Sequence, residues 1–384
     1  MIETPIARSK ILTIFGTRPE VIKLAPIIQR LERRNLEFET ANISSGQHQD
    51  LLYPFLQLFG IRVDHDLQVM KFDQTPSQVC ARVLAALDPI LMATMPDLVV
   101  VQGDTTTALS GALAAFHRGI PVAHVEAGLR TGNDHSPHPE EMNRRLITRL
   151  ATYHFAATRR NREALISEGV AREKIFVTGN PIVDSLEWIR KRVAPLTPAL
   201  KEALSATEGL KRLVLTTHRR ESFGATMAAN LRVLRDFVEA HGEVALIFPV
   251  HPNPSVMELA TDILGSHPRI RLVKPLDYQD FVVLLSHAWL IVSDSGGVQE
   301  EAPTLKKPLL ILRESTERPE AIESGIARLV GKSPERLAAM LDEVYRDGNW
   351  IRCIEAVENP FGTGDSGECI VDIVGHLLAR NKAR

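Results

Sequence analysis

Lys10-Ile11-Leu12-Thr13-Ile14-Phe15, followed at once by Gly16-Thr17-Arg18-Pro19-Glu20, reads as a buried strand that turns directly into a helix. The change recurs far down the chain, where Trp289-Leu290-Ile291-Val292-Ser293 leads into Asp294-Ser295-Gly296-Gly297-Val298-Gln299-Glu300-Glu301. In an open parallel sheet that edge is where ligands bind, and the exposed amides of a helix start favour an anion. Arg18, and Lys23 one turn later, put two cations at a helix start, where the macrodipole disfavours positive charge unless an anion lies between them. A phosphate-bearing ligand would resolve that conflict.

Outward from these strings, short Val- and Ile-rich runs alternate with longer amphipathic segments, the pattern of strand-helix units around parallel sheets. Strands are expected at Lys10–Phe15, Glu37–Ile43, Asp97–Val101, Val122–Glu126, Tyr153–Ala157 and Ile175–Thr178. A second series follows at Leu213–Thr217, Val244–Val250, Ile270–Val273, Trp289–Ser293, Leu309–Leu312 and Ala327–Val330. The class is α/β. With 384 residues, the chain exceeds the size at which one core keeps growing, so two doubly wound Rossmann-like domains are expected, facing across a cleft. Pro195, Pro198 and Gly209 break the stretch from Asn180 to Arg212, the expected junction. The domains are therefore drawn as 1–180 and 181–366, with a final helix in 367–384 packing back on the first. Neither half carries a Gly-x-Gly-x-x-Gly turn or a Gly-x-x-x-x-Gly-Lys loop, which counts against a tightly held dinucleotide and an ATPase.

Forty-five basic and forty-seven acidic residues leave a formal net charge of −2 without long runs of one sign, which argues against nucleic acid or an anionic membrane as partner. No apolar run has signal-peptide or membrane-span character, so a cytoplasmic protein is expected. Cys80, Cys353 and Cys369 lie far apart and are odd in number, which fits reduced packing residues better than a disulfide framework. His135 and His138 lack a partner at zinc-site spacing, and no metal is expected.

Several ionisable residues fall just past strand ends, each with an ordinary explanation beside a chemical one. Asp104 precedes a small-residue helix and could simply be its N-cap. Glu126 closes a buried run, where burial would raise its pKa, but Arg130 is available for a structural ion pair. Glu140 and Glu141 open a helix whose dipole favours them, and Arg144 either clamps an anion or pairs with Glu140. His218 and His251 end successive strands of the second half, where a histidine can move a proton near neutral pH or merely be satisfied structurally. Ser295-Gly296-Gly297 is either an anion seat or an ordinary cap, and Arg318 either a phosphate contact or a salt bridge. Their coincidence at strand ends of both halves favours one site.

At Gly16–Glu20, Gly103–Thr107, His124–Thr131, Pro139–Arg144, His218–Glu221 and Ser293–Glu301 together, the chain closely resembles the non-hydrolysing UDP-N-acetylglucosamine 2-epimerases. The likeness runs from about residue 10 to 380, and six motifs in order are far more specific than any one. The resemblance implies two Rossmann-like domains in the glycosyltransferase-B-like arrangement, UDP in the cleft, a homodimer, and no metal or redox cofactor. It implies Asp104, Glu126, Glu140 and His218 as acid–base groups, with Arg18, Lys23 and Arg144 contacting substrate. It further implies Ser295, Gly296 and Gly297 at phosphate, Glu301 at ribose, Arg318 at the diphosphate and Phe281 near uracil.

A regulatory substrate site found in some members would fall near Gln47, Arg82, Arg219 and His251. Here Gln47-His48-Gln49 departs from the family's Gln-His-Arg, and Asp50 stands where regulated members carry an amide, which counts against activation by substrate. The reaction implied is conversion of UDP-N-acetylglucosamine to UDP-N-acetylmannosamine through loss of UDP to 2-acetamidoglucal and its return. A hydrolysing epimerase that releases free N-acetylmannosamine is the nearest rival. A glycosyltransferase of the same build and a non-catalytic nucleotide-sugar sensor stand further off.

Overall fold

The computed structural model describes residues 8–46, 49–71, 73–192, 195–217 and 224–382. Among these, thirteen strands form two sheets in which every ladder is parallel. The first contains β1 (Ser9–Phe15), β2 (Phe38–Ser44), β3 (His65–Asp66), β4 (Leu98–Gln102), β5 (Val122–Ala127), β6 (Tyr153–Ala156) and β7 (Ile175–Val177). Its order is β3-β2-β1-β4-β5-β6-β7. The second contains β8 (Lys211–Thr216), β9 (Val244–Pro249), β10 (Ile270–Val273), β11 (Leu290–Ser293), β12 (Leu309–Ile311) and β13 (Ala327–Leu329), ordered β10-β9-β8-β11-β12-β13. Each order reverses once, between β1 and β4 and between β8 and β11. That reversal defines the doubly wound Rossmann pattern, with its ligand crevice outside the carboxyl ends of the strands at the switch point.

Twelve strands match the hydrophobic runs to within a residue or two. β3 was not expected: it is a two-residue bridge, His65 against Ile43 and Asp66 against Ser44, with no apolar run to announce it. β8 also opens at Lys211 rather than Leu213, inside the stretch expected to be the junction.

Two compact units emerge, Met1–Ser185 with Phe361–Arg384, and Leu186–Pro360. The boundary falls within helix Ile182–Arg190. In the first unit, Leu12, Ile14, Val99 and Val101 bury one sheet face against helices Pro76–Thr94 and Thr106–His117. Each such aliphatic side chain contributes roughly 1.5–3 kcal/mol on full burial. Helix Thr106–His117 is built of small residues because it lies close on the sheet: a Cβ at Gly111 would sit 3.2 Å from both Ile14 and Val101 side chains. In the second unit Leu213, Leu215, Leu246, Phe248, Leu290 and Val292 pack with Leu231 and Leu234 of helix Ala225–Ala240 and Leu337 and Leu341 of helix Pro334–Asp347.

The last helix, Ser366–Lys382, belongs to the first unit. Asp184 accepts from the Ser366 and Gly367 amides at 3.1 and 3.0 Å, placing a carboxylate at the positive helix end. Arg30 of helix Arg18–Arg33 and Arg34, the residue that caps its end, then pair with Glu368 and Asp372 at 2.9 and 2.6 Å. No helix among the described residues is long and apolar enough to cross a membrane.

Candidate functional site

β1 and β4 flank the first switch point, and β5 follows, so their carboxyl ends bring three loops to one edge. Glu126, next to last in β5, sits where the register breaks between Val125 and Ala127. Its φ of 65° is left-handed backbone, which costs a residue other than glycine about 1–3 kcal/mol and recurs at functional sites. The chain can turn next because Gly128 lacks a Cβ, which would stand 2.2 Å from the Asn161 carbonyl. The buried Glu126 carboxylate accepts hydrogen bonds from Lys23 Nζ and Gln102 Nε2, with Asn180 Nδ2 at 3.4 Å. Arg130 is not its partner; that guanidinium grips Glu168 at 2.7 and 2.8 Å and holds its carboxyl below the usual range.

Asp104 does not cap the helix that follows. Thr105 does, accepting from the Ala108 amide at 3.0 Å. The Asp104 carboxylate takes the Nε of buried Arg144 at 2.7 Å, and its carbonyl takes Asn143 Nδ2 at 2.8 Å. Arg144 also joins Glu141 at 2.9 Å rather than Glu140, which stands half-buried in the first turn of helix Glu140–Leu150. Arg18 is exposed, its guanidinium 5.6 Å from the centre of the Phe55 ring. Lys23, one turn on, is buried in its ion pair.

In the second unit, helix Gly296–Leu305 begins at the switch point beyond β11. Ser295 is its N-cap and makes no side-chain capping bond; its own amide donates to Ser293 Oγ at 3.0 Å. A Cβ on Gly296 would come within 3.0 Å of Arg318 Nη1, so glycine lets the guanidinium lie against the helix start. Glu300 and Glu317 hold that guanidinium, the latter at 2.7 Å. Tyr278 and Phe281 share helix Tyr278–Ser286, and the Tyr278 hydroxyl donates to Glu301 at 2.9 Å. One cation, Arg318, thus lies against the helix start, and backbone amides beside a guanidinium are groups of the kind that bind anions.

His218, Arg219 and Gln47 lie outside the described residues. Of the other expected regulatory residues, Arg82 donates to the Val69 carbonyl at 3.4 Å, and His251 Nδ1 accepts from the Asn253 amide at 3.2 Å.

Residue-level reading missed Glu20, Gln102, Asn143, Asn180, Tyr278 and Glu317. Glu20 had a legible signal, since Thr17-Arg18-Pro19-Glu20 has capping-box spacing. Its carboxyl accepts from the Thr17 amide at 2.7 Å and, across the switch point, from the Thr105 hydroxyl at 2.8 Å. Burial pushes its pKa up to about 7 despite hydrogen bonds that favour the charged form. Glu317 bonds its own neighbour, Arg318, whereas Gln102, Asn143, Asn180 and Tyr278 depend on which elements the fold brings together.

A family profile described as UDP-N-acetylglucosamine 2-epimerase matches residues 29–375. The chain is 45% identical over 361 residues to UDP-N-acetylglucosamine 2-epimerase of Salmonella typhimurium, covering 93% of this chain and 96% of that one. Among solved structures, UDP-GlcNAc 2-epimerase from Neisseria meningitidis bound to UDP-GlcNAc superposes with a TM-score of 0.87 at 37% identity, over 95% of this chain and 99% of that one. The Methanocaldococcus jannaschii UDP-GlcNAc 2-epimerase in complex with UDP-GlcNAc and UDP gives 0.78 at 34% identity, over 96% and 99%. With a profile matched over most of its length and relatives of this identity, the chain belongs to the UDP-N-acetylglucosamine 2-epimerase family.

Proposed function

We propose that this protein is a cytoplasmic, homodimeric enzyme that interconverts UDP-N-acetylglucosamine and UDP-N-acetylmannosamine without net hydrolysis. The hydrogen on carbon 2 is scarcely acidic, because no carbonyl adjoins it. Breaking the bond from carbon 1 to the diphosphate oxygen sends that electron pair to UDP and develops positive charge at the ring. A carboxylate then removes the carbon 2 proton, and the C–H electrons become the double bond of 2-acetamidoglucal. In return, an acid delivers a proton to the opposite face of carbon 2 while a diphosphate oxygen re-forms its bond to carbon 1. Atoms and charge balance, and UDP is conserved.

Departure of UDP needs positive charge and fixed dipoles at the diphosphate. In this reading, Arg318 and the amides opened by Ser295, Gly296 and Gly297 supply them, Glu301 holds ribose and Phe281 borders uracil. Arg18, Lys23 and Arg144 serve substrate from the first unit, Lys23 and Arg144 by holding Glu126 and Asp104 in place. Asp104, Glu126, Glu140 and His218 are the acid–base set, the type of group that contributes about 10²–10⁴-fold. The observation that carries this reading is Glu126: a carboxylate in a left-handed backbone at the end of a buried strand, met by three hydrogen-bond donors.

Proton magnetic resonance of the protein with UDP-N-acetylglucosamine in deuterium oxide tests it. Expected are a UDP-N-acetylmannosamine anomeric signal and deuterium at carbon 2 of the product. Protium retained at carbon 2 would sink the elimination route. Stoichiometric UDP with free N-acetylmannosamine would make the enzyme a hydrolase.

A further inference from the structure

Glu20 opens helix Arg18–Arg33, yet it is only 1% exposed. Four donors from two loops converge on its carboxyl. Oε2 accepts from the Gly16 amide at 3.0 Å and from the Thr17 amide and hydroxyl, each at 2.7 Å. Oε1 accepts from Thr105 Oγ1 at 2.8 Å. Gly16 and Thr17 follow β1 and Thr105 follows β4, so one carboxyl spans the switch point of the sheet.

A capping glutamate satisfies the start of its own helix and has no need of burial or of a second loop. This one is buried and reaches both. The residue after Thr17 is Arg18, and the residue before Thr105 is Asp104. Thr105 is itself constrained, because its hydroxyl also accepts from Ala108 and caps the next helix. Asp104 is held from its other side by Arg144 and Asn143. Movement of Glu20 would therefore shift Arg18 and Asp104 relative to each other while leaving the remaining supports in place.

We propose that Glu20 is a positioning residue: it ties the Arg18 loop to the Asp104 loop and so sets the distance between a substrate-binding cation and an acid–base carboxylate. The proposal rests on the reading of function above. Displacement by about an ångström at a reacting centre can cost up to about 10²-fold in rate.

The test compares Glu20→Gln, Thr105→Val and Thr105→Ser with the wild-type chain. For Glu20→Gln and Thr105→Val, kcat for epimerisation is expected to fall about 10- to 100-fold. Binding of UDP alone, measured by calorimetry, should remain within about twofold, since Ser295, Gly296 and Arg318 lie on the other unit. Thr105→Ser keeps the hydroxyl and should restore kcat. Glu20→Gln and Thr105→Val both turning over at the wild-type rate would overturn the proposal. So would a fall in kcat matched by equal losses of UDP affinity and melting temperature, which would mean general loosening. Should Glu20→Gln fail to fold, the Thr105→Val and Thr105→Ser pair decides alone. A wild-type chain that leaves UDP-N-acetylglucosamine unchanged would instead overturn the functional reading, and the role of Glu20 with it.

Discussion

The ammonium of Lys23 and the carboxylate of Glu126, 103 positions apart in the chain, form a buried ion pair at the carboxyl edge of the first sheet. Lys23 comes from the second turn of a helix and Glu126 from a bulged strand end, and Gln102 and Asn180 supply Glu126 with further donors. The pair resolves the conflict posed by a lysine near a helix start: its counter-charge is a side chain of the protein.

Lys23→Met should destabilise the fold strongly, because it leaves Glu126 as a buried charge without its ammonium; breaking one side of such a pair costs about 3–5 kcal/mol. Lys23→Met combined with Glu126→Gln removes both charges and should recover most of that loss. Urea unfolding of the wild type, Lys23→Met, Glu126→Gln and the double variant, with m-values compared, measures both effects. Additive losses in the double variant would show that the two side chains are not coupled.

Asp104→Asn and Glu126→Gln should each lower turnover at least about a hundredfold, the range expected for lost acid–base groups. Both keep the side-chain volume and one oxygen acceptor, so Arg144 and Lys23 retain a hydrogen-bond partner. Initial rates by coupled assay, together with loss of carbon 2 deuterium exchange, check the prediction. Exchange surviving in one variant while turnover falls would assign that residue to the opposite face of the sugar.

Glu126 shows how far the chain is readable before its structure. The run Val122–Val125 marks it as closing a buried strand, and it is the last residue but one of β5. Its partner is not readable. Arg130 stands four positions on, helix spacing that means nothing where the chain is extended and then turns at Gly128. Arg130 swings to Glu168, and Lys23 arrives from a distant helix because β1, β4 and β5 adjoin. Glu20 divides the same way: the capping spacing with Thr17 is local, whereas the bond from Thr105 exists only because β1 and β4 are neighbours. Side chains that bond within their own loop are legible, and those that bond across the sheet await its strand order.

Gly296→Ala separates stability from ligand affinity. Alanine is the better helix former by up to about 1 kcal/mol, so the helix should be unharmed or firmer. Its Cβ would meet Arg318 Nη1 at 3.0 Å, and the bonds to Glu300 and Glu317 limit the guanidinium's freedom to retreat. Affinity for UDP should fall about tenfold, or ~1.4 kcal/mol, with melting temperature unchanged or raised. Calorimetry and a thermal melt on the same sample decide; unchanged affinity would mean that the side chain at 296 and Arg318 do not contact the ligand.

Stability should depend on pH through two opposed sets of buried groups. His124 and His154 are register partners on β5 and β6, and burial pushes them down to about 4 and about 3 from an ordinary 6.5. The native state then binds fewer protons than the unfolded chain. The stability these histidines contribute is full above pH 6.5 and is lost as pH falls through that window, amounting to about 3 kcal/mol for His124 by pH 4. Glu20, raised from 4.5 to about 7, acts in reverse: the native state holds an extra proton, and stability falls by about 3 kcal/mol as pH rises from 4.5 through 7. Between about pH 4.5 and 6.5 the unfolded chain gains two histidine protons against the one extra proton the native state keeps on Glu20, so wild-type stability should fall on acidification by about 1.4 kcal/mol per pH unit, about half the slope of the histidines alone. Glu20→Gln should expose the histidines and steepen the loss on acidification, whereas His124→Gln with His154→Gln should leave a protein that weakens as pH rises toward 7. Urea midpoints at about pH 4.5, 5.5, 6.5 and 7.5 distinguish these outcomes. Parallel curves for the wild type and Glu20→Gln would show that Glu20 does not titrate in this range.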